Sequence, residues 1–145
     1  MDNKNYDELV KKFSPNSKIL TNCLWAFFVG GSICTLGQLL TNIYMKNNFT
    51  LSDSKLLTSV TLVGISAVLT ALGWYRKIAK RAGAGTLVPI TGFANAVVSP
   101  AIEFKSEGYI TGVASKMFII AGPVIIYGTL ASVVYGVIYW FLGRF

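Results

Sequence analysis

Residues 20–45, LTNCLWAFFVGGSICTLGQLLTNIYM, form an uncharged apolar run near the amino end of the chain. A helix of this length, at about 1.5 Å per residue, exceeds the roughly 30 Å hydrocarbon core of a bilayer. Trp25 and Tyr44 lie near its two ends, where aromatic side chains often meet the membrane interface. The run therefore predicts a transmembrane helix.

The composition of the whole chain agrees with a membrane protein. Hydrophobic residues make up 53% of the 145 residues and charged residues 13%, against about 25% charged residues in a typical soluble domain. A soluble fold of this size could not bury so much apolar surface. We therefore predict an all-α integral membrane protein. Residues 20–145 would form one domain, a small bundle of three or four transmembrane helices with a broken or re-entrant central segment.

Two further runs, residues 56–75 and residues 117–142, are long and apolar enough to be spans. The first of them is followed by the basic residues Arg76, Lys77, Lys80 and Arg81. Short loops rich in Lys and Arg stay in the cytoplasm. Residues 1–19 form a second basic segment, so we expect this arm to be cytoplasmic as well. The first apolar run is too long for a signal peptide, and the arm should remain on the mature protein.

The segment between the basic cluster and the last span has two interpretations. Residues 83–100 are apolar but short, with Pro89 inside, and a charged stretch follows at residues 103–107. In one interpretation residues 83–100 cross the membrane completely, which would return Arg144 to the cytoplasm. In the other, residues 83–116 are a re-entrant pair of half-helices, allowed where protein or a water-filled cavity covers the backbone. The sequence leaves both open.

Polar side chains in or between the apolar runs are candidates for a solute pathway. They are Gln38, Thr91, Asn95, Glu103, Lys105, Glu107 and Lys116. Charges at membrane depth are costly and often mark a pathway, but a solvated loop or a snorkelling lysine is the simpler explanation. The uncharged residues could line a pore or join helices by hydrogen bonds. Glu103 and Glu107, four residues apart, are expected to share one helical face.

Small residues recur at helical spacing in the first and last spans. They are Ala26, Gly30, Cys34, Gly37 and Thr41 in the first, and Gly128, Ser132 and Gly136 in the last. Such spacing lets backbones approach closely, which predicts helix packing within or between subunits at Gly30, Gly37, Gly128 and Gly136. Pro123 lies inside the last span, where it would give a static kink or a hinge.

The residues that carry most enzyme chemistry are missing from the sequence. It has no histidine, which excludes a histidine base, a Ser–His triad and most zinc sites. Cys23 and Cys34 would be about 16 Å apart on one helix, too far to pair with each other. We expect no enzyme, no metal site and no cofactor.

The net charge of +7 lies at the ends of the apolar runs, which favours topology signals and anionic lipid contact over nucleic acid.

Several strings in the chain carry a family resemblance. They are Gly83-Ala84-Gly85, VPITGFAN at residues 88–95, EFKSEG at residues 103–108, WAFFVGG at residues 25–31 and CTLGQ at residues 34–38. Together they resemble the AC/AEB family of stage V sporulation membrane proteins, and the basic arm is similar to that of the AC branch.

The resemblance implies a function that the composition could not predict. It implies a subunit of a complex that moves dipicolinic acid, largely as its calcium chelate, into the forespore and out again at germination. The implied partners are the other membrane and soluble subunits of the stage V sporulation A operon, in a homo- or hetero-oligomer within the lipid bilayer. The implied location is the forespore and spore inner membrane, with a cytoplasmic amino terminus.

Under this interpretation the polar candidates border the solute route, with lysines meeting carboxylates and glutamates meeting calcium. A chain of three or four helices is too small to enclose a pore for such a solute, so several subunits would surround it. Two alternatives remain: a tension-gated membrane channel, and a structural subunit of the same complex that does not conduct.

Overall fold

The structure is a computed structural model that describes residues 18–143. The predicted cytoplasmic arm, apart from its last two residues, and Arg144 lie outside the described residues. Every regular element within them is helical. The elements are α1 (Ile19–Lys46), α2 (Leu51–Ala71), α3 (Trp74–Ala82), α4 (Ala84–Leu87), α5 (Ile90–Glu103), a 3₁₀ turn (Lys105–Glu107), a π-helical turn (Tyr109–Ala114) and α6 (Ser115–Leu142).

Three helices of the described part are long and apolar enough to cross a membrane. They are Ile19–Lys46, Leu51–Ala71 and the segment Ala121–Leu142 of α6. The prediction of an all-α membrane protein is therefore confirmed.

Helices α1 and α2 form an antiparallel hairpin with a four-residue link, residues 47–50. Helix α2 begins five residues before the apolar run because Thr50 caps it. The Thr50 hydroxyl oxygen accepts the backbone N–H of Asp53 at 3.2 Å, which satisfies an amide that has no partner within the helix. Asp53 and Lys55 thus lie in the first turns of α2 rather than in a loop. The hydropathy of the sequence therefore predicts that a span exists here, but the Thr50 cap determines the residue at which its helix begins.

The other end of α2 comes earlier than residue 75. The helix ends at Ala71, and Gly73 turns the chain with a left-handed φ of +71°, a conformation that side chains resist. Trp74 and Tyr75 therefore belong to α3, which also carries the basic cluster. The apolar run of residues 56–75 thus extends four residues past the end of α2, and Tyr75 is buried, with only 4% of it exposed.

Helices α2 and α5 run in the same direction. The hydroxyl of Ser66 on α2 donates to the carbonyl oxygen of Thr91 on α5 at 2.7 Å. One turn further along both helices, the Thr70 hydroxyl donates to Oδ1 of Asn95 at 3.0 Å. Residue numbers thus rise together along the contact, and α5 continues past the level at which α2 ends.

The parallel arrangement favours the re-entrant alternative over a complete third span. Helix α5 has 14 residues, so it is about 21 Å long and shorter than the hydrocarbon core. In this alternative the chain enters the membrane through the short helix α4 and returns through α5 to the side from which it came. We call the level at which α1 begins and α3 lies the basic side, and α5 ends there.

Helix α4 touches the backbone of α1. A Cβ atom added to Gly85 would lie 2.3 Å from the carbonyl oxygen of Ala26, and one added to Gly30 would lie 3.3 Å from Cα of Gly85. Real Cβ atoms do not come that close to a backbone oxygen, so this contact needs glycine at residue 85. Further along α1, a Cβ on Gly37 would make ordinary contact with Leu62 and Thr58 of α2, at 3.5 and 3.9 Å.

Helix α6 packs against α5 only through its first half. Ala121 is buried, and Val124 and Ile125 line a cleft with residues of α4 and α5. Residues 126–142 are all exposed. A Cβ on Gly128 or Gly136 would have no atom of the described residues within 4 Å, so these glycines do not pack within the chain. Their packing between subunits stays a prediction, as does a hinge at Pro123, through which α6 continues unbroken.

Candidate functional site: a polar cleft at the basic side

Small polar side chains recur on the inner face of α2. Ser54, Thr58, Ser66 and Thr70 follow one another at steps of four or eight residues and are buried or half-buried. Thr58 pairs with the Thr41 hydroxyl of α1 at 2.9 Å, and Ser66 and Thr70 reach α5. Hydroxyl pairs of this kind join helices in a membrane. This stripe of polar residues was not predicted from the sequence, although the steps of four and eight residues are visible there.

Tyr75 joins α3 to the re-entrant segment. Its phenol donates to the carbonyl oxygen of Thr86 at 2.7 Å, and it lies 3.3 Å from the hydroxyl of Thr91. Thr91 is 6% exposed, and both its hydroxyl and its carbonyl oxygen have partners. The structure therefore places Thr91, a candidate for the solute route, among groups that hold helices together.

A polar cleft of about 570 Å³ opens where α2, α3 and α5 meet at the basic side. It is lined by Thr70, Ala71, Gly73, Arg76, Ala79, Asn95, Ser99, Ile102 and Glu103. Asn95, Ser99 and Glu103 come from successive turns of α5, so they share one face of that helix. The cleft brings together a guanidinium, a carboxylate, an amide and two hydroxyl groups, within a wall that is otherwise small or apolar.

Two of the predicted pathway residues, Asn95 and Glu103, meet in this cleft. Arg76 was treated in the sequence only as a topology signal. Its place in the cleft could not be predicted, because it depends on the turn at Gly73 and on α5 running parallel to α2. Ser99 was missed as well, although it lies four residues from each of the other two α5 residues.

The other candidates lie elsewhere. Lys105 and Glu107 are exposed in the 3₁₀ turn. The Lys116 ammonium lies 4.6 Å from the centre of the Phe104 ring, a cation–π contact. Gln38 donates to Oδ1 of Asn42 at 2.9 Å along the exposed face of α1. The structure thus separates these four from the cleft.

The expectation that Glu103 and Glu107 share a helical face is wrong. Helix α5 ends at Glu103, and the backbone then tightens into the 3₁₀ turn. Pro100 lies in the last turn of α5 and has no N–H to continue the pattern of helical hydrogen bonds. Gly108, at φ +100°, redirects the chain directly after the turn. Glu103 therefore lines the cleft and Glu107 does not, although both residues are exposed.

The cleft is suited to recognising a small ion rather than to covalent chemistry. Arg76 can bind a carboxylate through two parallel hydrogen bonds, and Glu103 can attract a cation. Within residues 18–143 there is no group of three or more His, Cys, Asp or Glu side chains that could hold a metal ion. The arrangement offers one charge of each sign and neutral hydrogen-bonding groups between them.

The fold defines an all-helical integral membrane protein with three candidate spans. The chain belongs to the SpoVAC/SpoVAEB family of sporulation membrane proteins, whose sequence model matches residues 22–138. It is 46% identical over 136 residues to stage V sporulation protein AC of Bacillus subtilis (strain 168), covering 93% of this chain and 91% of that protein. No solved structure matches. The family resemblance found in the short strings is therefore confirmed.

Proposed function

We propose that this chain is a subunit of a channel or transporter complex of the spore inner membrane. The complex moves dipicolinic acid, as its calcium chelate, into the forespore during sporulation and out at germination. Membership of a sporulation membrane protein family supports the setting. The role is one of passage rather than catalysis, and the partners are the other subunits encoded with this chain.

The observation that carries the proposal is the charge pattern of the polar cleft. Dipicolinate has two carboxylates, and its calcium chelate presents charges of both signs. The cleft presents Arg76 and Glu103, with Asn95 and Ser99 on the same helix face as Glu103. A pathway replaces part of the hydration of its ion with polar groups of this kind.

The re-entrant segment supports a pathway at this place. Half-helices that end inside a membrane often form transport sites, because irregular backbone is allowed there where it lines a cavity. Helix α5 begins at membrane depth, at Ile90, and runs out to the basic side, where Asn95, Ser99 and its last residue, Glu103, line the cleft. The cleft is formed by a single chain at one side of the membrane. A continuous route through the membrane therefore needs neighbouring subunits to complete it.

The test is a paired substitution in a sporulating host that depends on this chain. We expect Arg76→Gln with Glu103→Gln to lower dipicolinate per spore, or its rate of release at germination, by about tenfold. A charge-assisted contact typically contributes about 1.5 to 3 kcal/mol, and each factor of ten corresponds to about 1.4 kcal/mol. Dipicolinate is measured by its terbium fluorescence.

The matched control is Lys105→Gln with Glu107→Gln. It removes the same pair of charges two to four residues from Glu103, but both side chains are exposed outside the cleft. The amount of chain in spore membranes is measured by immunoblot in both variants. Normal dipicolinate content and release with the cleft variant at normal level would contradict the proposal and favour a structural subunit that does not conduct.

A further inference from the structure

A second cleft, separate from the polar one, opens between α1 and α3. It has a volume of about 470 Å³ and is lined by Trp25, Val29, Lys77, Ile78, Lys80 and Arg81. Three of these six residues are cationic, and the others are apolar or aromatic. We call it the basic cleft. Its charges contribute to the topology of the chain, but the proposed passage of dipicolinate does not use this cleft.

The basic cleft lies at the level of the membrane interface. Trp25 and Val29 come from the second and third turns of α1, six and ten residues after its first residue, and α3 follows the end of α2 after a two-residue turn. Both long helices therefore end close to the cleft. Tryptophan is enriched at this level because its ring is apolar and its N–H is polar. Lipid phosphates lie at the same depth.

The positive charges of the basic cleft have no carboxylate among them. The acidic residues of the described part are Asp53, Glu103 and Glu107. Asp53 lies in the first turn of α2, at the far end of that helix, and Glu103 lines the other cleft. Glu107 is exposed in the 3₁₀ turn. None of the three lines the basic cleft.

The side chains of α3 explain why the cations collect on this side. Tyr75 and Ala82 are buried, at 4% and 1% exposure, and fix the helix against the rest of the chain. That orientation sends Lys77, Lys80 and Arg81 to the basic cleft and Arg76 to the polar cleft. The two clefts are therefore separate, although both are built on one helix of nine residues.

We propose that the basic cleft binds the headgroup of an anionic phospholipid. Two lysines and an arginine provide charge for a phosphate, and arginine can donate to it through two parallel hydrogen bonds. Val29, Ile78 and the ring of Trp25 give the apolar wall that the glycerol and the start of the acyl chains require. A free anion would use the charges but not this wall, so the lining favours an amphiphile.

The test uses the full chain in phosphatidylcholine nanodiscs, with and without phosphatidylglycerol. Native mass spectrometry counts the phosphatidylglycerol retained after gentle release. We expect Lys77→Gln with Lys80→Gln to weaken retention roughly 25-fold, at about fivefold for each lysine near a charged membrane surface. Raising the salt concentration should weaken retention in the native chain.

The matched control is Lys46→Gln with Lys55→Gln. It removes the same number of lysines from the opposite end of the α1–α2 hairpin, where both are exposed. We expect it to leave retention unchanged, and circular dichroism to show equal helix content in all variants. Equal loss in both double variants would overturn the proposal, because it would mean general attraction to a charged surface. So would displacement of the lipid by millimolar inorganic phosphate or dipicolinate, which would make this a site for a soluble anion.

Discussion

At the scale of single residues, the contact between Gly85 and Ala26 determines how deeply the re-entrant segment can sit against α1. The Cβ of any other residue at position 85 would lie 2.3 Å from the Ala26 carbonyl oxygen. That oxygen belongs to helical backbone, so it cannot rotate away as the end of a side chain could. The two segments must separate, or α1 must bend.

We expect Gly85→Ala to destabilise the chain by about 1 to 3 kcal/mol, the usual cost of adding a methyl group to a packed interior. The measurement is thermal unfolding of the purified protein in detergent. The control is Gly31→Ala on α1, where a Cβ would have no atom within 4 Å.

The control variant should be as stable as the native chain or slightly more stable, because alanine favours helix over glycine by roughly 1 kcal/mol. If the two variants melt at the same temperature, α4 does not approach α1 as the structure describes.

The sequence predicted only one side of this contact. The small residues Ala26 and Gly30 predicted that α1 would pack closely against something, but spacing on one helix does not name the partner. Gly85 lies 55 residues beyond Gly30 in the chain, and in the sequence its string indicates only a family resemblance. A contact between distant segments follows from the fold, which a local pattern does not contain.

At the scale of elements, the existence of the long helices was predictable and their ends were not. Uncharged runs over residues 20–45 and 117–142 matched α1 and most of α6, because the requirement for about twenty apolar residues is strict. The apolar run over residues 56–75 begins and ends four or five residues later than the helix it predicts, Leu51–Ala71. Its ends depend on the Thr50 cap and the Gly73 turn, which a hydropathy average does not register.

The direction of α5 gives a prediction that separates the two topologies. We expect Lys105→Cys and Glu107→Cys, in a chain with Cys23→Ser and Cys34→Ser, to react with an impermeant thiol reagent from the same side as Lys77→Cys. The re-entrant segment brings all three positions to the basic side. Labelling is measured on sealed vesicles of each orientation, and accessible positions should react at least roughly tenfold faster from that side.

Asn48→Cys, in the link between α1 and α2, provides the reference for the opposite side. If residues 105 and 107 label together with residue 48, then residues 83–100 cross the membrane completely. The polar cleft would not exist in that arrangement, because Arg76 and Glu103 would lie on different sides.

At the scale of the whole molecule, the last half of α6 packs against no other helix of residues 18–143. Helix α5 is too short to accompany it, and residues 126–142 are exposed on every face. The hydroxyls of Thr129 and Ser132 donate to carbonyl oxygens of their own helix, so lipid alone can cover this surface. The small residues Gly128, Ser132 and Gly136 nevertheless leave one side of it open to a close partner.

We expect Gly128→Leu with Gly136→Leu to weaken self-association or association with sister subunits by roughly tenfold, because close backbone packing is lost. The measurement is the mass of the purified assembly in detergent by light scattering. The control is Val134→Leu with Ile138→Leu, which adds or moves methyl groups on the opposite face of α6. An equal mass for all three proteins would show that this face of α6 meets lipid only.

Because α2 and α5 run parallel, their dipoles add at the polar cleft where those of an antiparallel pair would cancel. Ala71 and Glu103, the last residues of the two helices, both line it. Each of these helix ends carries about half an elementary negative charge on its carbonyl groups. The amino end of α3, at Gly73, also lines the cleft and offsets about one of the two half charges. The cleft is therefore more negative than the balance of Arg76 and Glu103 alone indicates. If the proposed function holds, a calcium chelate in this cleft would turn its metal ion toward the helix ends and its carboxylates toward Arg76.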